Sequence, residues 1–133
     1  RDTRGLHEDV VHSISELKFL RDELHFLRDL ITEHTLELIY GRPYEEAAQI
    51  GAQLHTYENR LQSLLKKLNL HSSNLQVLMD DIDVPNELKD YKDTHYKLMI
   101  SMMDFHTDLK KTKRIIFKML AEIMKKSKQK KLL

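Results

Sequence analysis

The chain has 133 residues, with 32% charged, 41% apolar and 7% aromatic residues, three glycines, two prolines, no tryptophan and no cysteine. That length suits one domain able to bury a core unaided, the missing cysteines exclude disulfides and thiolate metal sites, and so few aromatic, Gly and Pro residues point to long helices rather than a sheet. The net charge of +1 conceals a polarity: residues 1–109 hold 12 Lys/Arg against 20 Asp/Glu, whereas residues 110–133 hold 10 Lys/Arg against Glu122 alone.

The first helix is predicted over about 6–40. Val10, Leu17, Leu24, Ile31 and Leu38 recur every seven residues, flanked by Ser13, Ile14, Leu20, Leu27 and His34. Within it, Ser15–Ile31 reads SELKFLRDELHFLRDLI and carries a second apolar stripe, Phe19 and Phe26. That stripe lies roughly 160 to 200° from Leu17 and Leu24 on a helix of about 3.6 residues per turn. One stripe fills an intramolecular core; the other asks for a further partner. His12 and Tyr40 share its heptad position, so Phe19, Phe26, His12 and Tyr40 are the expected partner interface. Gly41 supplies a left-handed position after the last turn, and Pro43 suits the first turn of a following helix.

The second helix is predicted over about 44–81, with the stripe Ala47, Gly51, Leu54, Glu58, Leu61, Leu65, Leu68, Ser72, Leu75, Met79 and Ile82. Residues 69–74 (NLHSSN) have loop propensity, yet the stripe crosses Ser72 in phase, so one helix is expected, with a kink near Ser72 and Ser73; two shorter helices are the alternative. Asp83 to Asn86 form the second turn. The third helix follows over about 86–128, its stripe running Leu88, Tyr91, His95, Leu98, Met102, Phe105, Leu109, Thr112, Ile116, Met119 and Ile123.

These lengths describe an all-α, antiparallel up-down-up bundle of three long helices, each roughly 50 to 65 Å at 1.5 Å per residue, with coiled-coil-like packing. Residues 1–124 form the bundle domain and 125–133 a basic tail. Short turns imply a register in which residue i of the first helix is level with about 84 − i on the second and 84 + i on the third.

That register sets His12, His71 and His95 in one layer with Glu16 a turn from His12. Imidazoles with a carboxylate are the donor set of a divalent zinc or iron site, but solvated or hydrogen-bonded histidines are the plainer expectation. A second layer holds Asp22, His25, Glu58 and His106, with His55 nearby. Di-iron bundles place Glu-x-x-His on two helices; here only Asp9-x-x-His12 and Asp22-x-x-His25 occur, both on the first, so that chemistry is not expected. Glu58 interrupts a core stripe and needs a counter-charge. Arg28 is about level with it, which predicts a structural Arg28–Glu58 ion pair that fixes register.

Met99, Met102, Met103, Met119 and Met124 give the third helix an adaptable surface, read first as core filling and second as a seat for a partner helix. Lys125–Lys131 should overhang the bundle as a solvated end; nucleic acid or an anionic surface is a less favoured ligand, since no aromatics interleave the lysines. The function expected is that of a non-enzymatic bundle that self-associates as a homodimer or docks a partner helix; a His/carboxylate metal-binding bundle is the alternative. No run reaches the roughly 20 apolar residues needed to span a bilayer, and no signal peptide is visible in a sequence that opens at Arg1, so a cytoplasmic location is expected.

The pattern SELKFLRDELHFLRDLI, followed by Gly-x-Pro and two further long helices, is similar to small uncharacterised helical-bundle proteins of Bacteroidetes. The resemblance covers mainly the first helix. It implies a bacterial cytoplasmic bundle, with no activity and no functional residue to carry over.

Overall fold

The structure is a computed structural model, which describes residues 2–34, 44–80 and 85–132. These form three helices, α1 (Thr3–Glu33), α2 (Tyr44–Asp80) and α3 (Pro85–Leu132), arranged as the expected all-α bundle. α1 packs along α2 and α2 along α3, while α1 and α3 are linked mainly through side chains.

α1 begins three residues before the expected start because Asp2 caps it: its carboxylate accepts from Gly5 N at 2.8 Å, satisfying one of the orphan first-turn donors. The helix ends at Glu33, and His34 N donates to Leu30 O at 3.1 Å. The predicted end at Tyr40, Gly41 and the turn through Pro43 lie outside the described residues, as does the turn at residues 81–84. α2 is one unbroken helix, so the two-helix alternative is not adopted. Ser73 Oγ donates back to Asn69 O at 3.2 Å, the local bond that lets a serine sit inside a helix. α3 starts on Pro85, whose missing N–H costs nothing in a first turn, with Glu87 beside the positive end of the dipole. It continues to Leu132, so the basic segment extends the helix.

The stripes of α1 and α3 are buried where predicted: Val10, Ser13, Leu17, Leu20, Leu24 and Leu27 on one, Tyr91 through Met119 on the other. On α2 half of the stripe differs. Leu54, Leu61, Leu68 and Leu75 are buried and Leu65 packs partly buried against the core, but the other companions are Ile50, Leu64 and His71, with Tyr57 and Leu78 partly buried, and not Gly51, Glu58, Ser72 and Met79. A 4-3 heptad allows either neighbour row. Burial selects the row with the larger apolar side chains.

The main core joins Leu17–Leu27, Ile50–Leu68 and Leu98–Leu120, with fully buried Phe105 at its centre. The Tyr57 ring meets Phe105 edge-on at 6.2 Å, and Arg60 covers both rings while its guanidinium donates to Asp108 at 3.0 Å. A smaller cluster of Leu6, Leu75 and Tyr91 closes the other end. Between the two lies a buried polar layer containing Ser13, His71 and His95.

Register is set by side-chain bonds. Asp9–His95 and Ser13–Met99 are separated by 86 residues, and Glu23–Lys113 by 90. α1 therefore sits up to about one and a half turns further along α3 than short turns alone suggest.

Candidate functional site

Two features of the bundle invite a functional reading: an exposed aromatic face, and the buried polar layer further along the rod.

On α1, the side chains that reach α3 are Asp9, Ser13, Glu16 and Glu23, whereas Arg28 reaches α2. Positions 12, 19 and 26 each lie three residues beyond 9, 16 and 23, hence one row further out on the helix surface. Phe19 and Phe26 there are 67% and 54% exposed, while the Leu17, Leu20, Leu24 and Leu27 positions around them are buried. His12 at the same heptad position is 82% exposed in its side chain. Tyr40, the fourth expected interface residue, lies outside the described residues.

α3 carries a matching row. Met99, His106 and Lys113 face α1, and Tyr96, Met103 and Lys110 each lie three residues before them. Tyr96, Met103, Phe117 and Met124 are exposed, spaced at seven with Lys110 completing the series. Both rows face away from α2, on the same side of the α1–α3 seam. The methionines thus divide: Met102 and Met119 fill the core, Met99 is partly buried in the seam, and Met103 and Met124 stand outside it. Sequence reading placed Met103 and Met124 in an adaptable surface but did not join them to Tyr96 and Phe117 as one row, although the heptad spacing was visible.

In the polar layer, His95 is buried between two partners. Its Nε2–H donates to Asp9 Oδ2 at 2.9 Å, and its Nδ1 lies 3.0 Å from His71 Nε2. With His95 neutral, its Nδ1 accepts a hydrogen bond from the Nε2–H of His71; with His95 charged, its Nδ1–H donates to His71 Nε2, so one hydrogen lies between the rings in either state. His71 stacks face to face on Tyr91, with centroids 3.9 Å apart and planes 4° from parallel. Burial, and secondarily the neighbouring His95, lowers the His71 pKa from 6.5 to about 4. Burial also pushes the Tyr91 phenol up to about 12, and its hydroxyl is buried with no hydrogen-bond partner among the described residues. A shallow groove of about 360 Å³ runs beside this layer, lined by His71, Asn74, Glu87, Asp90, Tyr91 and Thr94 among others.

The four residues considered for zinc or iron fall into two groups. His71 and His95 join Asp9, whereas His12 lies 3.9 Å from Glu16, whose carboxylate is also 3.4 Å from His106 Nδ1. The register shift and the outward heptad position of His12 separate them. The bonds of His95 point in opposite directions, so Asp9, His95 and His71 make a line and do not converge on a point. Among the described residues no group of three or more His, Asp or Glu side chains is arranged to hold a metal ion. The second layer divides likewise, since His106 meets Glu16 and Glu58 meets Arg28.

The predicted Arg28–Glu58 ion pair is present. Arg28 is half exposed and the Glu58 side chain is 17% exposed; among the described residues Oε2 is paired while Oε1 is buried without a hydrogen-bond partner. No helix among the described residues is long and apolar enough to cross a membrane. Comparison with known protein families, with curated proteins and with solved structures finds no match.

Proposed function

We propose that this chain is a non-enzymatic helical-bundle protein that self-associates through the aromatic face of α1, with Phe19 and Phe26 as anchors. The observation that carries the reading is their exposure on a helix whose other large apolar stripe is already buried. Exposed aromatics at heptad spacing on a rigid helix are the elements of a helix-docking surface, where large rings supply most of the binding energy. The non-catalytic reading is supported by the polar layer: both nitrogens of His95 are engaged, and His71 presents its ring face to Tyr91. Catalysis would require such groups to converge on a substrate position. The proposal needs no cofactor, and it places the protein in the bacterial cytoplasm, as the resemblance implies.

Sedimentation or light scattering at high micromolar concentration tests it. Wild type is expected to have the mass of a dimer or larger assembly, and Phe19→Glu/Phe26→Glu is expected to be a folded monomer by circular dichroism. A wild-type monomer that stays folded at that concentration overturns the reading.

A further inference from the structure

The aromatic rows of α1 and α3 share one centre. Phe19 and Phe26 have their midpoint between residues 22 and 23, which the 86- to 90-residue offset between α1 and α3 places level with about residue 110. On α3 the row Tyr96, Met103, Lys110, Phe117 and Met124 is itself centred on Lys110. Two rows on two helices are therefore symmetric about one level of the rod. From these positions we infer that the face receives a second copy of this chain, antiparallel, on a two-fold axis that lies in the interface at the level of Lys110.

Such an axis sets α1 against α1 and α3 against α3 with their directions reversed. Phe19 of one copy meets Phe26 of the other, Met103 meets Phe117, and Tyr96 meets Met124. Lys110 falls near the axis, where its aliphatic stem covers apolar surface and exposed Asp22, at the same level on α1, offers a counter-charge.

Charge selects this orientation over a parallel one. Residues 110–133, together with residues 21–33 of α1 at the same level, hold twelve Lys/Arg against five Asp/Glu. Among the described residues, the opposite end of the rod, residues 2–9, 80 and 85–93, holds seven Asp/Glu against three Lys/Arg. An antiparallel copy lays each basic end along an acidic one; a parallel copy would set the two basic ends together.

The area is sufficient. A buried aromatic covers about 150–250 Å², so four aromatics and two methionines exposed by roughly half contribute about 600 Å² per copy. The resulting total of about 1,200 Å² is at the lower limit for a specific dimer.

This inference rests on the self-association proposed above and adds its geometry. The chain has no cysteine, so single cysteines introduced on exposed positions can be linked by a short bis-maleimide without background. A mixture of Tyr96→Cys and Met124→Cys chains is expected to give a linked dimer containing one of each, and Lys110→Cys is expected to link to itself. A parallel copy would instead set α1 against α3 at equal level, so that mixed His12→Cys and Tyr96→Cys chains link while Tyr96→Cys and Met124→Cys do not. That pattern, or a wild-type dimer in which neither mixture links, overturns the antiparallel geometry and leaves self-association standing. A wild-type monomer overturns both.

Discussion

Two regions of the bundle interior are built on opposite logic. Around Phe105 the three helices meet through leucines, and any well-packed apolar side chain of similar volume satisfies the site. Around His95 the same helices meet through Asp9, His71 and Tyr91, where the ring nitrogens bond in a directed line from Asp9 through His95 to His71 and Tyr91 contributes its ring face. The first region stabilises by burial; the second specifies register, because only one alignment of α1 on α3 brings Asp9 to His95. The difference separates what holds the rod together from what fixes how its helices slide.

The largest effect expected is in the apolar region. Phe105 is fully buried against Tyr57 and Arg60, so Phe105→Ala leaves a cavity and should cost about 3–5 kcal/mol in denaturant unfolding. A loss below ~1 kcal/mol would show that this region collapses around the gap and is less ordered than its packing indicates.

The polar region should respond to pH, which the apolar region ignores. His71 is held neutral with its pKa near 4, against 6.5 when exposed, by burial first and His95 second. Between those values the unfolded chain binds the extra proton, so stability is fully present above pH 6.5 and declines as pH falls towards 4. Two to three pKa units correspond to about 3 kcal/mol. The groups facing His71 are His95 and Tyr91, with Asp9 beyond and Glu87 and Asp90 at the groove. His71→Phe keeps the stack on Tyr91 and removes the titration, so its unfolding free energy should fall less steeply between pH 6.5 and 4.5 than that of wild type. Parallel pH profiles for the two proteins would remove His71 as the source.

Heptad spacing made the apolar region legible, because burial of Leu17, Leu24, Leu98 and Phe105 is a property of period alone. On α2 the period was correct and the companion row was not. Ile50, Tyr57, Leu64 and Leu78 outweigh Gly51, Glu58 and Ser72 in apolar volume, so composition held the answer that continuity of the stripe concealed. The polar layer was half legible: His71 and His95 were brought together, but a register counted from short turns paired them with His12. Asp9 reaches His95 through an axial shift of α1 that no periodic pattern records. The aromatic face followed the same division. Phe19 and Phe26 stood out within one helix, whereas the α3 row acquires meaning only when the Glu16–His106 and Glu23–Lys113 contacts show which side of α3 meets α1.

The Arg28–Glu58 pair lies between these two logics, a polar contact at the edge of an apolar core. Its energetic effect should be the smallest of the three. Arg28 keeps about half its side chain in water, so it gives up little hydration, and its attraction to Glu58 is partly screened. Glu58 bears the larger desolvation cost, with one carboxylate oxygen already lacking a hydrogen-bond partner among the described residues. Arg28→Met should therefore destabilise by about 1 kcal/mol, chiefly by stranding Glu58. Adding Glu58→Leu should recover that loss or exceed it, since the site then joins Leu54 and Leu61 as ordinary core. A double variant that stays as unstable as Arg28→Met would mean that the pair holds α1 in register on α2, much as Asp9 and His95 hold it on α3.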